Sequence, residues 1–202
     1  DLTANDAGQL VKVQIENSLA LGWKKEDILL FTNFPFQYGE FKANVLNGVE
    51  FFERKPQASK INAIVKLFEI GLIKNRQLYW FHDLDAYQLY PIKESELELG
   101  KVDMGLVDYG GVSFGGVDRW NTSSMFFKAS SKDIFERIKE LVYQKRIDEE
   151  EALGLLTIND DDIRKRVKKL NCTYNFNGFS LRSRYAIAVK PIRVAHFHPY
   201  GV

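Results

Sequence analysis

Gln77-Leu78-Tyr79-Trp80-Phe81-His82-Asp83-Leu84-Asp85 decides the fold, because an apolar run ends directly in two carboxylates. A short apolar segment bounded by polar residues suits a strand buried on both faces, as in an open sheet covered by helices. Residues 77–81 are therefore expected to form a central strand, with Asp83 and Asp85 just beyond its C-terminal end. Open α/β sheets bind ligands there, where loops and helix N-termini diverge. A hard divalent cation takes oxygen ligands, and carboxylates on either side of one residue can approach a common point. Asp-x-Asp by itself is common in turns and caps. Here aromatic residues precede it, and Ala86-Tyr87-Gln88-Leu89 carries the chain back into the fold, which favours a cleft over an exposed turn.

Outward from this segment, the pattern alternates helix and strand. Ala7 to Leu21 has apolar residues at helical spacing, a polar start at Asn5 and Asp6, and Gly22 to end it. Ile28 to Thr32 suits a buried strand, and a further strand is expected over Val49–Phe52. In this rhythm a strand should precede the first helix, so the first strand is expected to lie upstream of the sequence. Ser59 to Ile70 is a strongly periodic helix, with Ile61, Ile64, Val65 and Phe68 on one side, Ser59 as its cap and Gly71 after it. Past the acidic pair come a strand over 102–108, a flexible glycine-rich loop over 108–116, and a strand over 124–129. Three helices follow, Lys132–Gln144, Asp148–Leu156 and Asp160–Leu170, with Lys168 and Lys169 near the last C-terminus. The tail from Ile192 reads as a strand entering a polar loop. No repeat or linker divides the chain, so residues 1–202 read as one α/β domain.

Composition narrows the function. Of 202 residues 45% are hydrophobic, enough for a core, and the formal net charge of +1 argues against a nucleic-acid binder, which carries a basic excess. A lone cysteine, Cys172, can form neither an internal disulfide nor a thiolate zinc site, and it favours a reducing, cytoplasmic setting. No apolar run approaches the roughly 20 residues that span a bilayer. The histidines are His82, beside the acidic pair, and His196 and His198 in the tail. Imidazole beside carboxylates suits Mn²⁺ better than Mg²⁺.

The order of these features is more specific than any one of them. A strand leads into Asp83-Leu84-Asp85. A glycine-rich loop, Trp120-Asn121-Thr122-Ser123-Ser124-Met125, an acidic helix start and a closing His196-Phe197-His198-Pro199-Tyr200-Gly201 follow. Over nearly the whole chain this resembles the GT-A glycosyltransferases of the nucleotide-diphospho-sugar transferase superfamily, and within them modules encoded by large algal (chlorella) viruses. The resemblance implies a single Rossmann-like domain with a mixed, mostly parallel sheet flanked by helices. It implies a hexosyl transfer from a nucleotide sugar, UDP-linked by family habit, to a glycan or glycoprotein hydroxyl, with Mn²⁺ or Mg²⁺. Asp85 is then a metal ligand, and Asp83 contacts the ribose, the metal or both. His196 or His198 completes the metal shell, and Lys60 reaches the sugar phosphate. Asn121 borders the sugar, and Ser123 stands near the position where the family has glycine.

One of the four acids Asp148, Glu149, Glu150 and Glu151 is then expected near the acceptor, as a base if the transfer inverts. Asp148 and Glu151 equally imitate a capping box, which would make them architecture. Three other readings compete. A sugar-nucleotide nucleotidyltransferase would need a glycine- and lysine-rich phosphate loop. A glycoside hydrolase would need two carboxylates across a cleft and no metal. A non-catalytic sugar or nucleotide module would bind ligand without releasing nucleoside diphosphate.

Overall fold

The computed structural model describes residues 4–114, 117–177 and 181–197. The first helix, α1 (Ala4–Ala20), stops where Gly22 takes φ +94°, a conformation that closes helices cheaply only at glycine. Its amide side chains fix it to the acidic turn. Gln14 Nε2 donates to the Leu84 and Ala86 carbonyls at 2.9 and 3.0 Å, and Asn17 Nδ2 donates to the Gln88 carbonyl at 2.9 Å.

The aromatic stretch that follows holds four short strands, β1 (Phe31–Thr32), β2 (Gln37–Tyr38), β3 (Phe41–Lys42) and β4 (Asn44–Val45). β1 pairs parallel with β4, and β2 pairs antiparallel with β3. Only the end of the run over residues 28–32 is therefore a strand. Residues 49–52 form no strand. Phe52 N–H instead donates to Ser59 Oγ at 2.9 Å, so Ser59 secures that loop and caps nothing.

α2 (Ser59–Glu69) buries Ile61, Ile64, Val65 and Leu67, the stripe its period requires. It leads to β5 (Leu78–His82), β6 (Ala86–Gln88) and the short α3 (Glu94–Leu97). A long hairpin follows, β7 (Met104–Phe114) and β8 (Val117–Lys128), so the glycine-rich stretch is mostly strand up to Phe114, and Gly115 and Gly116 lie outside the described residues. Then come α4 (Lys132–Lys145), α5 (Glu149–Asn159), α6 (Asp161–Arg166) and β9 (Val167–Lys169). The helix expected to reach Leu170 ends at Arg166, because residues 167–169 pair with β7 and so gain a ladder that a helix would forgo. Last are β10 (Phe176–Asn177), α7 (Leu181–Ile187) and β11 (Val194–His196).

The main sheet has four strands in the order β5-β8-β7-β9. β8 opposes β5 and β7, while β9 runs with β7, so three of the four strands share one direction. Successive β8 residues serve opposite faces. Met125 and Phe127 meet the α2, α4 and α5 side chains Ile64, Phe135, Ile138 and Leu153, while Phe126 meets Leu97, Leu170 and Tyr174. The fold is thus a mixed α/β layer structure, covered on both faces. β5, expected at the centre, stands instead at an edge of this sheet. A second, three-stranded sheet, β10-β11-β6, brings the tail beside the acidic turn, with His196 opposite Ala86.

Candidate active site

Asp83, Leu84, Asp85 and Ala86 form a tight turn between β5 and β6. Ala86 N–H closes it on the Asp83 carbonyl at 3.0 Å, and Asp83 N–H donates to the Ser123 carbonyl at 2.8 Å. The turn is therefore pinned to β8 at its first residue. At its third, Phe197 N–H donates to the Asp85 carbonyl at 2.9 Å and holds the tail against it.

β8 supplies the floor through a register break. Leu106 pairs with Met125, but the next residue, Val107, pairs with Asn121, so Thr122, Ser123 and Ser124 have no β7 partner. Bulges re-aim side chains at functional sites. Thr122 turns to the start of α5, and Ser123 turns to the tail. Ser124 has a packing role, accepting from Trp80 Nε1 and donating to the Tyr174 carbonyl, each at 2.9 Å.

Ser123 fixes the tautomer of His196. Its hydroxyl lies 2.5 Å from Asn121 Oδ1, a separation that requires the serine proton between them. Oγ must then accept from its other two neighbours, Asn175 Nδ2 and His196 Nδ1, each at 2.9 Å. With the proton on Nδ1, His196 Nε2 turns a lone pair toward Asp85 Oδ1, 3.3 Å away. Two acceptors face one another, with the imidazole almost fully buried. Such a pair is held together by a proton or a cation between them. An imidazole fixed through its far nitrogen is also the usual state of a metal-bound histidine. No three His, Cys, Asp or Glu side chains among the described residues converge as a metal centre, so Asp85 and His196 would supply only part of a shell. His198, the other tail candidate, lies outside the described residues.

Asp83 is engaged differently. Lys60 Nζ, on the first turn of α2, lies 2.7 Å from Asp83 Oδ2 and 3.5 Å from Glu149 Oε1. Burial works against the ammonium, but Asp83 and Glu149 outweigh it and hold the Lys60 pKa above its ordinary value. Lys60 thereby ties the acidic turn to the start of α5.

At that start the four acids separate by rotation about the helix. Asp148 caps α5, accepting from Glu151 N–H at 2.8 Å, and its other oxygen pairs with Arg119 Nη2 at 3.1 Å. Among the described residues the Glu151 side chain takes no part in the cluster, whereas Glu150 is buried in it. Glu150 accepts from Arg119 Nε at 2.8 Å, Tyr109 OH at 3.0 Å and Thr122 N–H at 3.2 Å. Burial raises the Glu150 pKa, and Arg119 pulls it back only in part, while Arg119 stays charged. Glu149 accepts from Thr122 Oγ1 at 3.0 Å, and its Oε2 is buried without a hydrogen-bond partner among the described residues.

Unmatched polar atoms recur nearby. Asn121 Nδ2, Asn175 Oδ1 and Asn177 Nδ2 are buried without partners among the described residues, and Asn177 Oδ1 accepts from Arg184 Nη1 at 3.1 Å. Buried polar groups are nearly always satisfied, so such a concentration marks a place where a polar ligand can complete them. Arg119, Tyr109, Asn175 and Asn177 were not legible as site residues. Only Asn-x-Asn carried a signal, since alternate residues of an extended chain share a face.

No protein-family model matches the chain, and no characterised protein matches it in sequence. Among solved structures, the fold is similar to a glycosyltransferase involved in the glycosylation of the major capsid of PBCV-1. The TM-score is 0.57 at 13% identity, over 94% of this chain and 85% of that one. LgtC, a galactosyltransferase in complex with donor and acceptor sugar analogues, aligns with 68% of this chain and 58% of that chain at TM-score 0.49 and 19% identity. Mouse xyloside xylosyltransferase 1 aligns over 74% and 67% at TM-score 0.48 and 12% identity. The first of these likenesses carries the assignment: in architecture this chain has the GT-A fold of the glycosyltransferases.

Proposed function

We propose that this protein is a metal-dependent glycosyltransferase, moving a sugar from a nucleoside-diphosphate sugar, UDP-linked, to a hydroxyl of a glycan or glycoprotein. The observation that carries this reading is the Asp85–His196 pair, an imidazole lone pair opposite a carboxylate oxygen with the tautomer set by Ser123. This donor set fits Mn²⁺ or Mg²⁺, and the imidazole favours Mn²⁺. Asp85 and His196 would hold the ion, and Asp83 would join it or the ribose. Held by these residues, such an ion would supply positive charge to offset the charge that builds on the departing diphosphate.

The chain's own groups supply the rest. As the acceptor oxygen bonds to the anomeric carbon and the bond to the diphosphate breaks, the acceptor proton must leave. Glu149 is the acid of the α5 start with an unmatched oxygen, so its Oε2 is the proposed acceptor of that proton. Lys60, charged between Asp83 and Glu149, keeps the donor and acceptor sides in register and adds positive charge beside the phosphates. Asn121, Asn175 and Asn177 would hydrogen-bond sugar hydroxyls through their unmatched atoms.

A thermal-shift screen of UDP-, GDP- and dTDP-sugars with and without Mn²⁺ tests this. A UDP-sugar is expected to stabilise the protein only with the metal, and Asp85→Ala is expected to abolish that shift. No metal-dependent stabilisation by any donor, or an undiminished shift in Asp85→Ala, would sink the reading. Release of free nucleoside diphosphate with an acceptor present separates a transferase from a binding module.

A further inference from the structure

Arg184, on α7, is 3% exposed, so its cationic head lies inside the fold. Among the described residues, the more exposed Arg119, Arg166 and Arg193 each meet at least one carboxylate, but no carboxylate forms an ion pair with Arg184. Asp108, whose carbonyl accepts from Arg184 Nη2, gives its carboxylate to Lys169 Nζ and to Gly110 N–H, the latter at 3.2 Å. A buried charge without a counterion is unfavourable.

The guanidinium also lacks an acceptor. Nη1 donates to Asn177 Oδ1 at 3.1 Å and Nη2 to the Asp108 carbonyl, while Nε–H is buried without a hydrogen-bond partner among the described residues. Arginine only donates, so Asn177 must turn its oxygen to Arg184 and its Nδ2, likewise unmatched, elsewhere. Gly110 stands beside Nε and Nη2. A Cβ there would lie 3.7 Å from Nε and 3.8 Å from Nη2, so glycine leaves that edge without a covering side chain. Nη2 carries a second N–H besides the one given to Asp108, and arginine takes a planar carboxylate through two parallel N–H bonds.

This edge lies on the side of the site that holds the proposed base. Asp108 and Gly110 belong to β7, whose Tyr109 OH donates to Glu150 at 3.0 Å, beside Glu149 at the start of α5. Asn177 stands between Arg184 and the metal pair, because it is paired with His196 across β10 and β11. The charge of the diphosphate falls instead to Asp85, His196 and Lys60. We infer that Arg184 reads a carboxylate on the acceptor, which is therefore a uronic acid residue of a glycan; calling this sugar the acceptor rests on the proposed transfer. One carboxylate supplies both the missing counterion and the missing acceptor atom. The neutral hydroxymethyl group at the same ring position supplies only the second.

The test titrates nitrogen-15-labelled protein with methyl glucuronide and methyl galacturonide, against methyl glucoside, methyl galactoside and acetate. Binding is read by NMR at the Arg184 Nε–H resonance, assigned by its loss in Arg184→Met, and at the Gly110 amide, which needs no variant. Both signals are expected to move with at least one uronide, bound about 10–100-fold more tightly than its neutral counterpart. In Arg184→Met, read at the Gly110 amide, that ratio is expected to fall to about one. Equal affinity for charged and neutral sugars overturns the inference, as does a preference that survives in Arg184→Met. Acetate binding as tightly as the uronides overturns it as well, since no sugar is then read. If UDP-glucuronate or UDP-galacturonate with Mn²⁺ moves these signals and the methyl uronides do not, the carboxylate belongs to the donor and the inference falls. The methyl uronide titrations contain neither nucleotide nor metal, so their failure is distinct from a failure of the donor screen.

Discussion

The turn at Asp83–Asp85 and the start of α5 both gather carboxylates, but their acids meet different partners. At α5, Asp148 and Glu150 are clamped by Arg119, with Tyr109 and Thr122 completing Glu150. At the turn, Asp85 Oδ1 lies 3.3 Å from His196 Nε2. Asp83, at the same turn, is paired with Lys60, and at α5 Glu149 keeps an oxygen without a hydrogen-bond partner among the described residues. Lys60 joins the two regions through Asp83 and Glu149.

The contrast can be broken at its most reactive member first. Glu149→Gln keeps the bond from Thr122 but removes the proposed base, so turnover should fall by about 10²–10⁴-fold with little change in melting temperature. Turnover within a few-fold of the parent would remove Glu149 from the chemistry. Arg119→Met strips both clamped acids of their cation. Unfolding in urea should show a loss of about 3 kcal/mol, and a loss below about 0.5 kcal/mol would mean that the clamp is not structural.

Ser123→Ala frees the imidazole of His196 without touching either proposed ligand. Mn²⁺ affinity by calorimetry should weaken about 10–100-fold, as for other partners that orient a metal-binding histidine. Unchanged affinity would show that the tautomer is set elsewhere. The smallest effect is the pH dependence of Glu150. Burial raises its folded pKa above the ordinary 4.5, so above that pH the native state holds more protons than the unfolded state. Its share of stability is therefore full at low pH and declines as pH rises from about 4.5 through the raised folded value. Glu150→Gln should remove that decline, seen as a flatter curve of unfolding free energy against pH.

Much of the fold was readable because its signals are local. The α2 stripe, the stop at Gly22 and the apolar run into Asp83 each depend on residues a few positions apart. Ser59 shows where such signals fail: the same serine that reads as a cap is spent on Phe52 N–H, in a loop that forms no strand. Residues 167–169 fail likewise, since a partner strand more than fifty residues earlier outbids the helix.

The site divides along the same line. By itself the sequence determined that two carboxylates stand at a strand end and that acids open α5, since spacing and strand polarity suffice for both. Only the tertiary structure decided that Glu150 rather than Glu151 is buried, because one residue of helix turns a side chain by about 100° and only packing sets which direction is inward. It also decided that His196 meets Asp85 and that Lys60 bridges two acids, through pairings between segments distant in the chain. β5 marks the limit of both: its composition called for a central strand, and the fold leaves it at an edge because strand position depends on which neighbours are present to share hydrogen bonds.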